Sequence, residues 1–194
     1  MNKTQKNKQL AAAKRVIKKA GRDCFKGAWN SKTGYQYITN GFCIARFSEN
    51  IPLPEIVAHE WLEAIFTELQ GRSEIVLPEI SELKAAIRLY RSEHPKKKCY
   101  IKLNYIDNYD KESYMAVNAE YLRDVMELVP DGKSERVLNP DFCKCSMLYL
   151  ANGNSEAILL PVFERSAGYN EYINIQAGGK NNEKICNRIC KRII

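Results

Sequence analysis

The stretch LAAAKRVIKKAGR, residues 10 to 22, constrains the fold more than any other part of the chain. At 100° per residue Leu10, Ala13, Val16, Ile17 and Ala20 fall on one arc, so Lys8 to Ala20 reads as a helix with a single apolar stripe. Gly21 supplies its stop. The opposite arc carries Lys8, Lys14, Arg15, Lys18, Lys19 and Arg22. Such a helix must dock its stripe on another layer and turn its cations elsewhere. A solvated helix normally intersperses acids for i, i+4 pairing, and this one has none. The pattern predicts contact with a polyanion; the other reading is a solvated, solubilising face.

The rest of the charge points the same way. The net charge is +7, and residues 1–26 hold nine Lys or Arg against Asp23 alone. The tail carries Lys180, Lys184, Arg188, Lys191 and Arg192 against Glu183, while the middle is near balance. Clustered basic charge favours nucleic acid as partner. With 194 residues, 45% apolar, the chain has the length and composition for a packed core. No apolar run approaches the roughly 20 residues of a membrane helix, and no signal-peptide stretch follows the basic start. The expectation is a soluble cytoplasmic protein. The seven cysteines are odd in number and scattered, which argues for reduced thiols rather than a disulfide framework. Cys143 and Cys145 are too close for the usual zinc spacing, whereas Cys186 and Cys190, four apart on a helix, suit either metal or packing.

Strands are expected at CFKGAWN and YQYITNGFCIARF, with a turn at Asn30 to Gly34 and a hairpin break at Asn40-Gly41. Leu-Pro-Glu-Ile occurs twice, at residues 53 and 77, and opens two expected helices, 54–70 and 79–93, since proline suits a first helical turn. Beyond them KKKCYIKLNYI and SYMAVN read as strands. NAEYLRDVMELV reads as a helix capped by Asn118, and ERVLN, SMLYLAN and EAILLPVF as strands, with a tight turn at Asn152-Gly153-Asn154. Residues 181–194 read as a short basic amphipathic helix. Helices mixed with hairpin-connected strands define an α+β fold with antiparallel sheet.

No catalytic set assembles from the motifs. There is no Gly-rich phosphate loop and no nucleophile elbow, and Gly178-Gly179-Lys180 lacks the rest of a Walker pattern. His59 and Glu63 have i, i+4 spacing but no third ligand, and His94 precedes Pro95 at a helix end. The expectation is a non-enzymatic protein without cofactor or metal. A metal-dependent enzyme using His59, Glu63 and cysteines is a rival reading.

YMAVNAEYLRDVMELV, followed by LYLANGNSEAILLPVF, resembles the second half of a domain of the bacterial DNA polymerase III β subunit, the sliding clamp. The match lies in Val117-Asn118, Tyr121-Leu122, Val125 and Leu160-Pro161-Val162. YQYITNGFCIARF is similar to a hairpin of the same family, with Asn40 where that pattern has aspartate. The resemblance implies a DNA-clamp-like fold of two helix-plus-antiparallel-sheet half-repeats, about 1–50 and 97–165. The helical segment 53–94 is then an insertion in one domain, 1–165, and 166–194 an extension.

In that fold the two helices face duplex phosphates without reading bases. The implied function is sequence-independent contact with double-stranded DNA in replication. Lys8, Lys14, Arg15, Lys18, Lys19 and Arg22 would touch DNA, and Leu160, Pro161 and Val162 would touch partner proteins. Replication proteins and further copies of the chain are the other implied partners. The alternative is a protein-interaction module that keeps the fold without binding DNA. One departure stands out: the second helix carries Glu120, Asp124 and Glu127 against Arg123 alone, a poor surface for phosphate.

Overall fold

Two antiparallel helices share one face of a seven-stranded sheet, and a third helix extends their layer. The structure, a computed structural model, describes residues 2–107, 111–140, 143–162, 172–173 and 175. In chain order the elements are α1 (Lys3–Lys18), β1 (Trp29–Asn30), β2 (Gln36–Thr39), β3 (Cys43–Phe47), α2 (Trp61–Thr67), β4 (Gln70–Glu74) and α3 (Ile80–Glu93). There follow β5 (Tyr100–Ile106), β6 (Glu112–Asn118), α4 (Ala119–Leu128), β7 (Lys133–Asn139), β8 (Cys143–Ala151), β9 (Ser155–Leu159) and β10 (Tyr172–Ile173). The larger sheet runs β1-β2-β3-β9-β8-β7-β4, all antiparallel. A smaller one, β10-β5-β6, has β10 parallel to β5. This is the α+β architecture expected.

The strands alternate because successive side chains point to opposite faces. Cys43, Ala45, Phe47, Leu148, Leu150, Ala157 and Leu159 face the helices. Ile44, Met147, Tyr149 and Ile158 face the other way, under Leu62, Ile65 and Phe66 of α2. On the helix side, Ala12, Ala13 and Val16 of α1 pack with Leu122, Val125 and Leu128 of α4 and Leu83 and Ile87 of α3.

α1 begins earlier than its apolar stripe indicates. Asn2 Oδ1 accepts from the Gln5 amide, and Gln5 Oε1 accepts from the Asn2 amide, a reciprocal cap that extends the helix over a polar first turn. Asn118 caps α4 as expected, accepting from the amides of Glu120 and Tyr121.

The segment 53–94 differs from two plain helices. Residues 54–60 are not helical: the Ala28 amide donates to the Pro54 carbonyl and the Ile56 amide to the Ala28 carbonyl, so this stretch lies against the chain before β1. Helix α2 is confined to Trp61–Thr67. β4 follows, with a bulge in its register on β7 and Gly71 at φ 63°. α3 then joins α4. The segment therefore wraps the β7 edge, with α2 on one face of the sheet, β4 along its edge and α3 on the other face. CFKGAWN also departs from a plain strand: it holds a 3-10 turn at Asp23–Phe25, and only Trp29–Asn30 pair. The basic helix expected at 181–194, with Cys186 and Cys190, lies outside the described residues.

Gly27 marks the tightest approach in this wrapping. A Cβ there would stand 2.4 Å from the Pro54 carbonyl oxygen and 2.6 Å from Ile56 Cγ2. Gly27→Ala is expected to destabilise the fold by about 1–3 kcal/mol, seen as a lower denaturant midpoint. Gly21→Ala, with open space around it, is expected to leave the midpoint unchanged or raise stability by up to about 1 kcal/mol. Equal behaviour of the two variants would contradict the packing described.

Candidate nucleic-acid interface

The six cations of the α1 segment divide into two groups. Lys8, Lys14, Lys18 and Arg22 are exposed and make no ion pair among the described residues. Arg15 and Lys19 are half-buried and turned toward α4. Arg15 Nε donates to Asp124 Oδ1 at 2.7 Å, and its Nη2 pairs with Glu127. Lys19 Nζ donates to Asp124 Oδ2 at 2.8 Å and lies 3.9 Å from Glu120 Oε2. Lys6 and Lys26 are also engaged, with Glu49 and Asp23.

The acids of α4 are thus not an exposed anionic face. Arg123 reaches Asp124 at 2.7 Å. From the other side, α3 brings Lys84 to Glu127 and Arg91 to Glu120, the latter through Nη2 at 2.7 Å and Nε at 2.8 Å. Five cations meet three carboxylates, so the cluster carries an excess of two positive charges. The acids that the sequence sets against Arg123 alone are each paired with cations of α1 or α3. The sequence shows the acids but not the cations that face them from two other helices.

Asp124 is the centre of the cluster, its side chain fully buried. Burial would raise its carboxyl, but hydrogen bonds from Lys19 and Arg15 and the charges of Lys19 and Arg123 outweigh it, and its pKa lies below the ordinary value. Burial would likewise lower the Arg15 pKa, but the bond to Asp124 and the charges of Asp124 and Glu127 raise it. Gln9, also buried, donates from Nε2 to the Leu128 carbonyl at 2.8 Å, satisfying an otherwise unpaired group at the end of α4.

Leu160, Pro161 and Val162 are half-buried and take part in the fold. The Leu160 amide donates to the Phe42 carbonyl at 2.9 Å and the Val162 amide to the Ala116 carbonyl at 2.8 Å, joining the two sheets. Beside them Phe42, an exposed residue not singled out by the sequence, stacks on Tyr121 with ring centroids 5.7 Å apart. His59 Nε2 lies 3.0 Å from the Cys24 carbonyl, and its ring abuts Phe25 and Trp29. Among the described residues no three His, Cys, Asp or Glu side chains converge as metal ligands. Burial first, then the Asp124 charge, pushes the Cys43 thiol up to about 12, and burial takes Cys99 to about 11, so both stay protonated at neutral pH. No helix among the described residues is long and apolar enough to cross a membrane.

A sheet carrying two antiparallel helices on one face, with free cations on one of them, is a clamp-like arrangement. No family model and no curated protein matches the chain. Among solved structures it is similar to the Helicobacter pylori β clamp bound to a DNA ligase peptide, with a TM-score of 0.51 and 9% identity over 80% of this chain and 62% of that one. It is also similar to DNA polymerase III subunit β from Borrelia burgdorferi in complex with a natural product, at TM-score 0.45 and 12% identity over 82% and 63% of the two chains. The Pseudomonas aeruginosa subunit gives 0.39 and 12% over 81% and 65%. The likeness to the Helicobacter protein supports a clamp-like fold. The chain spans less than two thirds of each of these structures.

The buried cluster predicts an acid-sensitive fold. A carboxyl whose folded pKa is depressed contributes stability that is present above its unfolded pKa, about 3.9, and lost as pH falls through the folded value. Asp124→Asn is expected to cost about 3 kcal/mol at neutral pH, near the lower end for breaking a buried pair because Arg15 and Lys19 keep access to water. The gap between the two proteins narrows below about pH 4. Denaturant melts across this range check it, and a pH-independent gap would contradict it.

Proposed function

We propose that the protein is a non-enzymatic, clamp-like DNA-associated protein that holds duplex DNA without reading sequence, in a replication-related role. The supporting observation is the division of charge on the helix layer. α4's acids are satisfied internally by Arg15, Lys19, Lys84, Arg91 and Arg123, while Lys8, Lys14, Lys18 and Arg22 stay exposed and make no ion pair among the described residues. Exposed cations on a rigid helix displace condensed counterions from phosphates, which gives affinity without base recognition. Lys8, Lys14, Lys18 and Arg22 bind the phosphates. Arg15 and Lys19 hold α4 in place and reach phosphate only secondarily.

A second reading has its own observation. Phe42 is 56% exposed and stacks on Tyr121 beside Leu160, which suits contact with a protein partner. A protein-interaction module of this kind would use Phe42, Leu160, Pro161 and Val162. Recovery of replication proteins on the immobilised chain after nuclease treatment, abolished by Phe42→Ser, would favour it.

The DNA reading is tested by reversing Lys14 and Lys18 to Glu, positions that carry no structural ion pair. Affinity for a short mixed-sequence duplex at low salt is expected to fall. The slope of log K against log salt is expected to be shallower by about 0.9 for each phosphate no longer neutralised. Fluorescence anisotropy measures both. Unchanged affinity in the variant, or no binding by the native chain at low salt, would overturn the reading.

A further inference from the structure

α3 and the loop after it carry a second set of exposed cations. Arg88 lies on the same side of α3 as Lys84 and Arg91, since 84, 88 and 91 have helical spacing, and it is exposed. Lys96, Lys97 and Lys98 follow, all exposed. None of these four makes an ion pair among the described residues. In segment 88–98 the only acid is Glu93.

The loop is held in place. Arg91 Nη1 donates to the Lys97 carbonyl at 2.6 Å and to the Pro95 carbonyl at 3.2 Å, while the same guanidinium grips Glu120. Tyr90 Oη donates to the Lys98 carbonyl at 3.3 Å, and the Lys97 amide to the His94 carbonyl at 3.2 Å. The Ala119 amide donates to the Cys99 carbonyl at 2.9 Å, fixing the loop's exit to the start of α4. Every one of these anchors uses backbone atoms of the loop, so its three lysine side chains stay in solvent.

This loop sits at the α1 end that is richest in free charge. α1 and α3 both run antiparallel to α4, as the pairs Arg15–Asp124 and Lys19–Glu120 on one side and Lys84–Glu127 and Arg91–Glu120 on the other require. Their C-terminal ends therefore meet at the same end of α4, where one carboxylate, Glu120, lies between Lys19 and Arg91. Packed helices stand about 8–10 Å apart, so the free cations of α1 and those of α3 lie on the order of 16–20 Å apart. That is well within one duplex turn of about 34 Å.

We propose that Arg88, Lys96, Lys97 and Lys98 form a second phosphate-binding edge that engages the same DNA duplex as Lys14, Lys18 and Arg22, across α4. The inference rests on the DNA reading above and adds to it a role for α3 and the loop that follows it. α3 supplies Lys84 and Arg91 to the α4 acids, and with the loop after it also widens the phosphate footprint. α4 lies beneath the DNA without an unpaired acid.

The test is a salt titration of duplex binding by anisotropy with four proteins. These are the native chain, Lys14→Glu with Lys18→Glu, Lys96→Ser with Lys97→Ser and Lys98→Ser, and a control that removes Lys32, Lys111 and Lys133 from elsewhere on the surface. Because the loop's anchors are backbone carbonyls and amides, the triple serine variant is expected to melt as the native chain does. Its salt slope is expected to be shallower by about 2.7, at roughly 0.9 for each of three phosphates released, with the control unchanged. A loop variant that binds like the native chain while the α1 variant is weakened would overturn this inference and leave the DNA reading standing. A control whose slope falls as much as that of the loop variant would also overturn it, since net charge alone would then account for the effect. Full binding by both the α1 and the loop variants would remove the DNA reading itself.

Discussion

The buried carboxylate of Asp124 is the interaction on which the helix layer, and the charge it presents, is organised. It receives Arg15 and Lys19 from α1 and Arg123 from its own helix, in a site closed to solvent. A charge taken out of water is costly unless its partners are well placed. Here they come from separate parts of the chain, so the cluster forms only when α1 and α4 lie antiparallel at the right depth. Glu120 and Glu127 extend it to α3 through Arg91 and Lys84. The apolar packing under the layer is general in kind, whereas the charge cluster specifies which helix lies against which.

The same cluster separates structural from available charge. A chain with net charge +7 could spread its cations evenly. This one commits Arg15 and Lys19 to α4 and leaves Lys14, Lys18 and Arg22 without an ion pair among the described residues. The 53–94 segment completes the arrangement, because without α3 two of the three α4 acids would lose a cation. The segment thus takes part in both the packing and the electrostatics of the helix layer, and β4 covers the long β7 edge that would otherwise offer unpaired backbone groups.

Much of the fold was legible because its periodicities are strong. The β2–β3 hairpin, β5 through β9, α3, α4 and the Asn118 cap all follow from alternation, helical spacing or a capping residue. What escaped the sequence had no such signal. The first turn of α1 is polar and held by the Asn2–Gln5 cap. β4 is QGRSE, an edge strand without apolar alternation. The repeated Leu-Pro-Glu-Ile is the clearest lesson: at residue 77 it leads into α3, whereas at residue 53 it is drawn out by pairing with Ala28. The candidate site was half legible. The basic arc of α1 was evident, but which of its cations face acids depends on packing between helices far apart in the chain.

The helix layer, with its acids internally satisfied, is the surface proposed to meet DNA. Amide chemical-shift mapping during titration of a short duplex into the isotope-labelled chain tests this most directly. Perturbations are expected to concentrate at Lys14, Lys18, Arg22 and Lys96 to Lys98, with α2 on the far face of the sheet unaffected. Perturbations confined to Phe42 and Leu160 to Val162, or spread evenly over both faces, would contradict it.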